Sequence, residues 1–507
     1  MLKKARKFVA FIFFAMITLL FLDFTGVLLL WFDWMAEVQL IPAVLAVNVV
    51  ALVVVALLTL LFGRVYCSVI CPLGVFQDGV SNISGRRKGK KNRFSYSPAK
   101  SWLRYGVLGI FIVAVIFGGM LAFGAIVSLL DPYAAYGRIA SNFFAPVYRW
   151  GNNLLAFLAE KADSYAFYST EVWVKSWLTF GITAVTLIII SVLAWRHGRT
   201  YCNTICPVGT VLGFLSKFSL FKLAIDTDKC TNCKACERAC KSSCVDAKSM
   251  QIDHSRCVDC FNCIEQCKFG AMSYSFVKMG NQTKQPSTND SIDVEKKGGI
   301  SRRDLLSIMG LMAITGTVKA QKLHVDGGLA EIEDKKIPNR KTRIVPPGAL
   351  GLKNMERHCT ACQLCVSACP NNVLRPSNKL TTLMQPEVSY ERGYCRPECT
   401  RCSNVCPTSA IRPVTTAEKT AISVGRAVWV KENCVVNTDE VQCNNCEHHC
   451  PTGAITMVNS NPEDESSLKI PVVDRESCIG CGACEYLCPS RPFSAIYVEG
   501  NVMHHSI

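Results

Sequence analysis

The chain has 507 residues, half of them hydrophobic, with 29 cysteines and a formal charge of +16. That length holds several domains, and that apolar fraction is high for a wholly soluble protein. The positive balance does not call for a nucleic-acid partner: six basic residues crowd into 86–93 beside an apolar stretch, so the lipid bilayer is the expected counterpart.

Four stretches in the first half, 8–32, 40–62, 105–130 and 176–195, reach the roughly 20 apolar residues that a helix needs to cross a bilayer. Only Asp23 interrupts the first. The expected fold over 1–225 is a membrane α-helical four-helix domain made of two repeated hairpins. Lys3, Lys4, Arg6, Lys7 and the 86–93 block share one side, which the positive-inside rule makes cytoplasmic. The connection 128–175 then faces the other side, and the chain after Trp195 returns to the cytoplasm.

A repeat lies inside this half. Gly63-Arg64-Val65-Tyr66-Cys67-Ser68-Val69-Ile70-Cys71-Pro72 recurs as Gly198-Arg199-Thr200-Tyr201-Cys202-Asn203-Thr204-Ile205-Cys206-Pro207. Cys67, Cys71, Cys202 and Cys206 supply four thiols. A shared metal centre, a thiol redox relay and reduced structural cysteines are each compatible with them. A quinol site needs a proton acceptor in an apolar setting, and Asp23, Asp131 and Arg138 are candidates near the outer interface. Each also reads as an ordinary loop or helix-end residue.

Residues 226–275 carry Cys230-x2-Cys233-x2-Cys236-x3-Cys240 and Cys257-x2-Cys260-x2-Cys263-x3-Cys267, the two-cluster ferredoxin pattern. Swapped ligation predicts one [4Fe-4S] cluster on Cys230, Cys233, Cys236 and Cys267. The other takes Cys257, Cys260, Cys263 and Cys240. Lys241 and Lys268 stand where proline is usual, and Cys244 is left over as a spare thiol or a replacement for Cys240.

Residues 276–300 read as a polar linker. Ser301-Arg302-Arg303-Asp304-Leu305-Leu306 and the short apolar run behind it make 301–320 resemble a twin-arginine export signal, or a fifth membrane segment.

Residues 340–500 form the last unit, with sixteen cysteines in four runs: Cys359, Cys362, Cys365, Cys369; Cys395, Cys399, Cys402, Cys406; Cys434, Cys443, Cys446, Cys450; and Cys478, Cys481, Cys484, Cys488. Every run ends in Cys-Pro. Three thiolates on a tight loop hold three corners of a cubane and the fourth serves a neighbouring cluster, whereas zinc sites use separated pairs. Six [4Fe-4S] clusters on α+β ferredoxin-like units are therefore expected. No phosphate-binding G-x-x-x-x-G-K-[ST] loop or dinucleotide fingerprint occurs, so direct NAD(P)H oxidation is unsupported.

These motifs carry a family resemblance. Residues 1–275 resemble the NapH-type membrane subunit of quinol dehydrogenases, and 301–500 resemble a NapG/MauM-type four-cluster ferredoxin, so the chain looks like a fusion of two subunits. The resemblance implies an electron-transfer component of a quinol dehydrogenase in the bacterial cytoplasmic membrane. It would oxidise quinol from the quinone pool and pass electrons to a periplasmic cytochrome or terminal reductase of nitrate-reductase type. The N-terminus and 226–275 would be cytoplasmic and the last unit periplasmic. The alternative is an assembly or maturation factor that reduces metal or thiols of a partner oxidoreductase.

Overall fold

The computed structural model describes every residue except 1, 24, 26, 88–93, 118–122, 165, 171, 277–332 and 465. The 301–320 export-signal reading, and the linker apart from Phe276, lie outside the described residues.

Two helices, Leu2–Leu22 and Trp177–His197, are long and apolar enough to cross a membrane. The other two expected spans are broken. Residues 40–62 form Leu40–Leu45 and Val49–Phe62, interrupted where Val47 takes a left-handed conformation and the Asn48 side chain caps Ala51 N at 3.1 Å. A straight 23-residue helix would hold its ends ~33 Å apart. Here Leu40 N instead donates to the Tyr66 hydroxyl at 3.0 Å, so the segment turns back on itself. Residues 105–130 hold Ser101–Ile116, which ends where Phe117 leaves the helical conformation, and Phe123–Leu130, with 118–122 outside the described residues. Uninterrupted spans over 40–62 and 105–130 are thus corrected to shorter apolar helices.

The 128–175 connection is not a simple loop. Asp131 caps the helix Pro132–Ile139, which passes through a π-helical turn at Ala140–Phe144 into Ala145–Lys161. Tyr133 to Ala140 are almost wholly buried, whereas Val147, Trp150, Leu154, Phe157 and Leu158 lie exposed on the second part.

Two iron–sulfur-type units flank the helices. In the first, Phe221–Ile225 pairs antiparallel with Met272–Phe276 and encloses the cysteine loops. In the second, Ile422–Trp429 pairs with Ile496–Ser506, and Ile455–Asn459 with Lys469–Val473. The helix Trp177–His197 shows that the units sit at opposite ends. Before it, Ser176 Oγ meets Asn378 Oδ1 at 2.6 Å in the C-terminal unit. Beyond it, Arg199 N donates to Lys241 O at 2.9 Å in the middle unit. Its 21 residues separate these contacts by ~31 Å.

One buried carboxylate gathers charges from both the helices and the middle unit. Asp78, on the helix Pro72–Arg87, accepts from Arg199 Nε at 2.8 Å. Arg6 Nη1 stands 3.3 Å and Lys241 Nζ 3.2 Å from the same carboxylate. All four side chains are less than a tenth exposed. Opposite charge holds the Asp78 carboxyl far below the ordinary carboxylate range against the opposing effect of burial. Removing one partner of a buried charged group costs about 3–5 kcal/mol. Asp78→Ala is expected to destabilise the helical unit by that order and to loosen the middle unit, measured by thermal unfolding in detergent and by protease sensitivity after residue 220.

Candidate iron–sulfur site

The regular cysteine runs share one backbone device. In each Cys-x2-Cys-x2-Cys loop, the residues just before and just after the second cysteine have positive φ: Asn232 and Lys234, Asp259 and Phe261, Ala361 and Gln363, Gly480 and Gly482. Left-handed residues alternating with right-handed ones turn successive N–H groups into a concavity that suits an anionic cluster. Glycine takes that conformation freely; the other six are non-glycine residues for which it is uncommon. Backbone N–H groups aim at sulfur directly, from Ala361 to Cys359 at 3.4 Å, Ile411 to Cys406 at 3.4 Å and Ala495 to Cys488 at 3.3 Å. The Cys-Pro-Thr stretches add a hydroxyl, with Thr408 Oγ1 3.6 Å from Cys406 Sγ and Thr452 Oγ1 3.7 Å from Cys450 Sγ.

Electrostatic neighbours sort the cysteines into sets, each with three thiols from one run and a fourth from its partner run. Cys406 lies by Cys359, Cys362 and Cys365. Cys369 lies by Cys395 and Cys402, with Cys399 completing that set. Cys450 lies by Cys478 and Cys481, which neighbour Cys484. Cys488 lies by Cys446, with Cys434 and Cys443 in the same cluster of side chains. The second and third sets meet where Cys395 N donates to Cys481 O at 2.9 Å. The sequence left this pairing open; the exchange between runs 359–369 and 395–406, and between 434–450 and 478–488, is a finding of the fold. Burial pushes the Cys359, Cys446 and Cys481 thiols up to about 12, so a bound metal is what would hold such sulfurs as thiolates at neutral pH.

In the middle unit Cys240 sits with Cys260 and Cys263, and Cys230 and Cys233 with Cys236. Cys244 is not idle. Its sulfur is 3.5 Å from Cys240 Sγ, and it also hydrogen-bonds Cys257. The Cys244 thiol donates to Cys240 and thereby holds Cys240 below the ordinary thiol range. The unusual Lys241 has its reason too: its side chain reaches Asp78 and its carbonyl accepts from Arg199. Lys268, the other departure, is simply exposed.

The repeat brings its four cysteines together. Cys67, Cys71, Cys202 and Cys206 are each at most 5 % exposed, and every pair among them interacts electrostatically. The repeat arginines cross over: Arg64 Nη2 approaches Cys202 O at 3.4 Å, and Arg199 Nη1 donates to Cys67 O at 2.6 Å. Glycine is required opposite each arginine, because a Cβ at Gly74 or Gly209 would collide with Cys67 O or Cys202 O. Gly63 and Gly198, both at positive φ, press on Asp259 and Lys241 of the middle unit. The shared letters of the repeat thus follow from docking and arginine exchange.

The quinol-site candidates separate. Asp23 closes its own turn, accepting from Thr25 N at 2.9 Å and Leu28 N at 2.9 Å, which is a local structural role. Asp131 and Arg138 meet at the seam with the C-terminal unit. Ser128 Oγ donates to Thr360 O at 2.8 Å, Arg138 Nη1 stands 3.4 Å from Ala361 O, and a Cβ on Gly137 would lie 2.5 Å from Cys362 O. Asp131 Oδ1 accepts from Tyr133 N at 3.0 Å; its fully buried Oδ2 makes no hydrogen bond of full geometry, and the carboxyl's other neighbours are the Ala134 N–H and the Thr360 side chain. Burial pushes this carboxyl up to about 7, partly offset by the Tyr133 N–H and Arg138. Tyr133, its hydroxyl unpartnered among the described residues, lies within electrostatic reach of both Asp131 and Cys362. Nothing in the sequence marked this seam, because it exists only where two distant segments dock.

Comparison with known families matches 4Fe-4S binding domains in both halves of the chain. The family described as 4Fe-4S binding domain matches residues 44–91 and 177–225, one copy of the repeat in each, and that described as 4Fe-4S dicluster domain matches 358–410 and 441–491. The chain is similar to the methylamine utilization ferredoxin-type protein MauM of Methylobacillus flagellatus, 32% identical over 29% of this chain and 64% of the relative. It is similar to the ferredoxin-type protein NapH of Haemophilus influenzae, 27% identical over 38% of this chain and 52% of the relative. The ferredoxin-type protein NapF of Escherichia coli is 28% identical over 31% of this chain and 87% of the relative. The chain thus spans less than two thirds of the MauM and NapH relatives. No solved structure matches it.

Cys244→Ala is expected to leave the iron content unchanged while moving the reduction potential of one cluster to a more negative value, because a hydrogen bond to sulfur is lost. Cys240→Ala/Cys244→Ala should lose about four iron atoms, one cubane. Iron analysis with EPR-monitored redox titration checks both.

Proposed function

We propose that the chain oxidises membrane quinol and passes the electrons one at a time, through [4Fe-4S] clusters in the 359–488 unit, to a periplasmic cytochrome or terminal reductase. The reading takes six ferredoxin clusters on the cysteine sets above. The observation that carries it is Asp131: a buried carboxyl with an oxygen short of a full hydrogen bond, beside Thr360 and Cys362 of the first cysteine loop. Quinol oxidation releases two protons and two electrons. A base that titrates near neutrality beside an electron acceptor suits it. In this reading the Asp131 carboxylate takes the two protons in turn, releasing the first before the second, Tyr133 and Arg138 orient the quinol oxygen, and a cluster on the Cys359-Cys406 set would take the two electrons in successive single steps. Electrons then pass to the sets of Cys395, Cys478 and Cys446. Exposed Asn444, His448 and His449 surround the last of these and give an acceptor its landing face.

The maturation-factor alternative draws less support. Thiol exchange with a partner needs an accessible sulfur, and the four repeat cysteines are buried.

Asp131→Asn should abolish reduction of the clusters by a quinol analogue while dithionite still reduces them; normal quinol turnover in that variant would refute the proposed base. In the wild type the rate should rise as pH increases through about 7, because only the deprotonated carboxylate accepts a proton. Stopped-flow absorbance against pH measures this.

Sidedness has its own check. Protease added to right-side-out vesicles is expected to digest the 340–507 unit and to spare 226–275. The opposite pattern would place the last unit in the cytoplasm.

A further inference from the structure

We infer that Cys67, Cys71, Cys202 and Cys206 together hold one further iron–sulfur cluster, shared between the two repeats, which relays electrons across the helical unit between the two ferredoxin units. This goes beyond quinol oxidation and does not depend on it.

Neither repeat can hold a cluster alone, since each contributes two cysteines. The fold removes that limit by placing all four buried thiols within electrostatic reach of one another. Their surroundings supply donors to sulfur. Gln77 Nε2 is 3.3 Å from Cys202 Sγ, Gly209 N is 3.4 Å from Cys206 Sγ, and Arg64 Nη2 is 3.8 Å from Cys67 Sγ. These are the kinds of contact seen around the ferredoxin cysteines.

Charge gives a second, independent argument. Arg64, Arg104 and Arg199 are buried against the two repeats, with Arg6 and Lys241 buried behind them on Asp78, and the buried carboxylates in this region are Asp78 and Asp259. The buried cations outnumber the two carboxylates and leave a positive surplus in a dry interior, even with both carboxylates ionised. Uncompensated buried charge is expensive. A cluster with a doubly positive core and four thiolates carries a net double negative charge, and so offsets that surplus. Four neutral thiols, or two disulfides, would not.

Position makes the centre a relay. One continuous core contains Cys260 of the middle unit, the tetrad, Tyr133 to Ala140, and Cys362 and Cys365 of the C-terminal unit. On one side the path is short: Cys240 is followed by Lys241, whose carbonyl accepts from Arg199 N, and Arg199 Nη1 donates to Cys67 O at 2.6 Å. On the other, Tyr66 and Tyr201, each next to the first cysteine of its repeat, interact with Asp131, beside Cys362. Each transfer moves a single electron. The cluster containing Cys240 is oxidised as the tetrad cluster is reduced; the tetrad cluster is then reoxidised by the cluster containing Cys362, with no bond made or broken. A one-electron carrier protein meeting the exposed Cys233 would resupply the middle unit.

The test uses full-length protein purified without oxygen, compared with Cys71→Ser/Cys206→Ser. The wild type should hold two to four iron atoms beyond the roughly 24 of six cubanes. The variant should lose that increment and one EPR signal while keeping the other six. About 24 iron atoms in both proteins would overturn the assignment. Gln77→Leu keeps all four cysteines and serves as the control for misfolding. It should shift the midpoint potential of one signal with iron unchanged, and no shift in any signal would count against the centre. In proteoliposomes, a one-electron reductant on the 226–275 side should reduce the 359–488 clusters at least tenfold more slowly in the double-cysteine variant. Reductant on the other side should act equally on both, and an unchanged rate from the 226–275 side would overturn the relay.

Discussion

Two arginines that each belong to one repeat and serve the other hold this molecule together. Arg64 and Arg199 are completely buried, and each reaches the first cysteine carbonyl of the opposite copy. A buried guanidinium is costly to strip of its acceptors, so separating the two halves would leave the groups that now bond these carbonyls unmet. Arg199 also engages Asp78, which gathers Arg6 from the first helix and Lys241 from the middle unit. Chain segments from the N-terminus, both repeats and the first iron–sulfur unit thereby share one network. Its cooperativity follows from low dielectric: every member is costly to leave unpaired.

The cysteine loops show a different economy of parts. Their left-handed residues point backbone N–H groups inward, which favours an anionic cluster whatever the intervening side chains are. The x positions remain free to serve the surroundings. Thr360 and Ala361 bond to the helical unit through their carbonyls, Asp259 packs on Gly63, and Gly480 accepts from the Tyr390 hydroxyl at 2.6 Å. Ligation and docking therefore use the same few residues. A cluster loop lies against each end of the helical unit, which is what the proposed electron path requires.

The four-run unit gains direction from its exchange of fourth cysteines. Runs 359–369 and 395–406 exchange with each other, as do 434–450 and 478–488, and the two pairs join at Cys395 and Cys481. The set containing Cys362 faces Asp131 and Tyr133, while the set containing Cys446 lies beside exposed histidines at the far end. That order gives the proposed conduit distinct donor and acceptor ends.

Cluster chemistry was legible in the residue string because its determinants are local: three cysteines on one loop, spaced so that a few left-handed residues bring their sulfurs together. The repeat was equally legible, as was the apolar character of the first half. Helix continuity was not. Hydropathy reports burial in an apolar phase and says nothing about the turn at Val47, where Asn48 ends one helix and begins the next. The role of Lys241 was invisible for a related reason, since its partner Asp78 lies far away in sequence. Asp131 stood in the string as one of three equal candidates, and only the docking of Thr360 and Cys362 over it separated it from Asp23. What the sequence determined alone was what adjacent residues can do to one another. The tertiary structure decided which distant charges, thiols and carbonyls share a dry interior, where each must be matched.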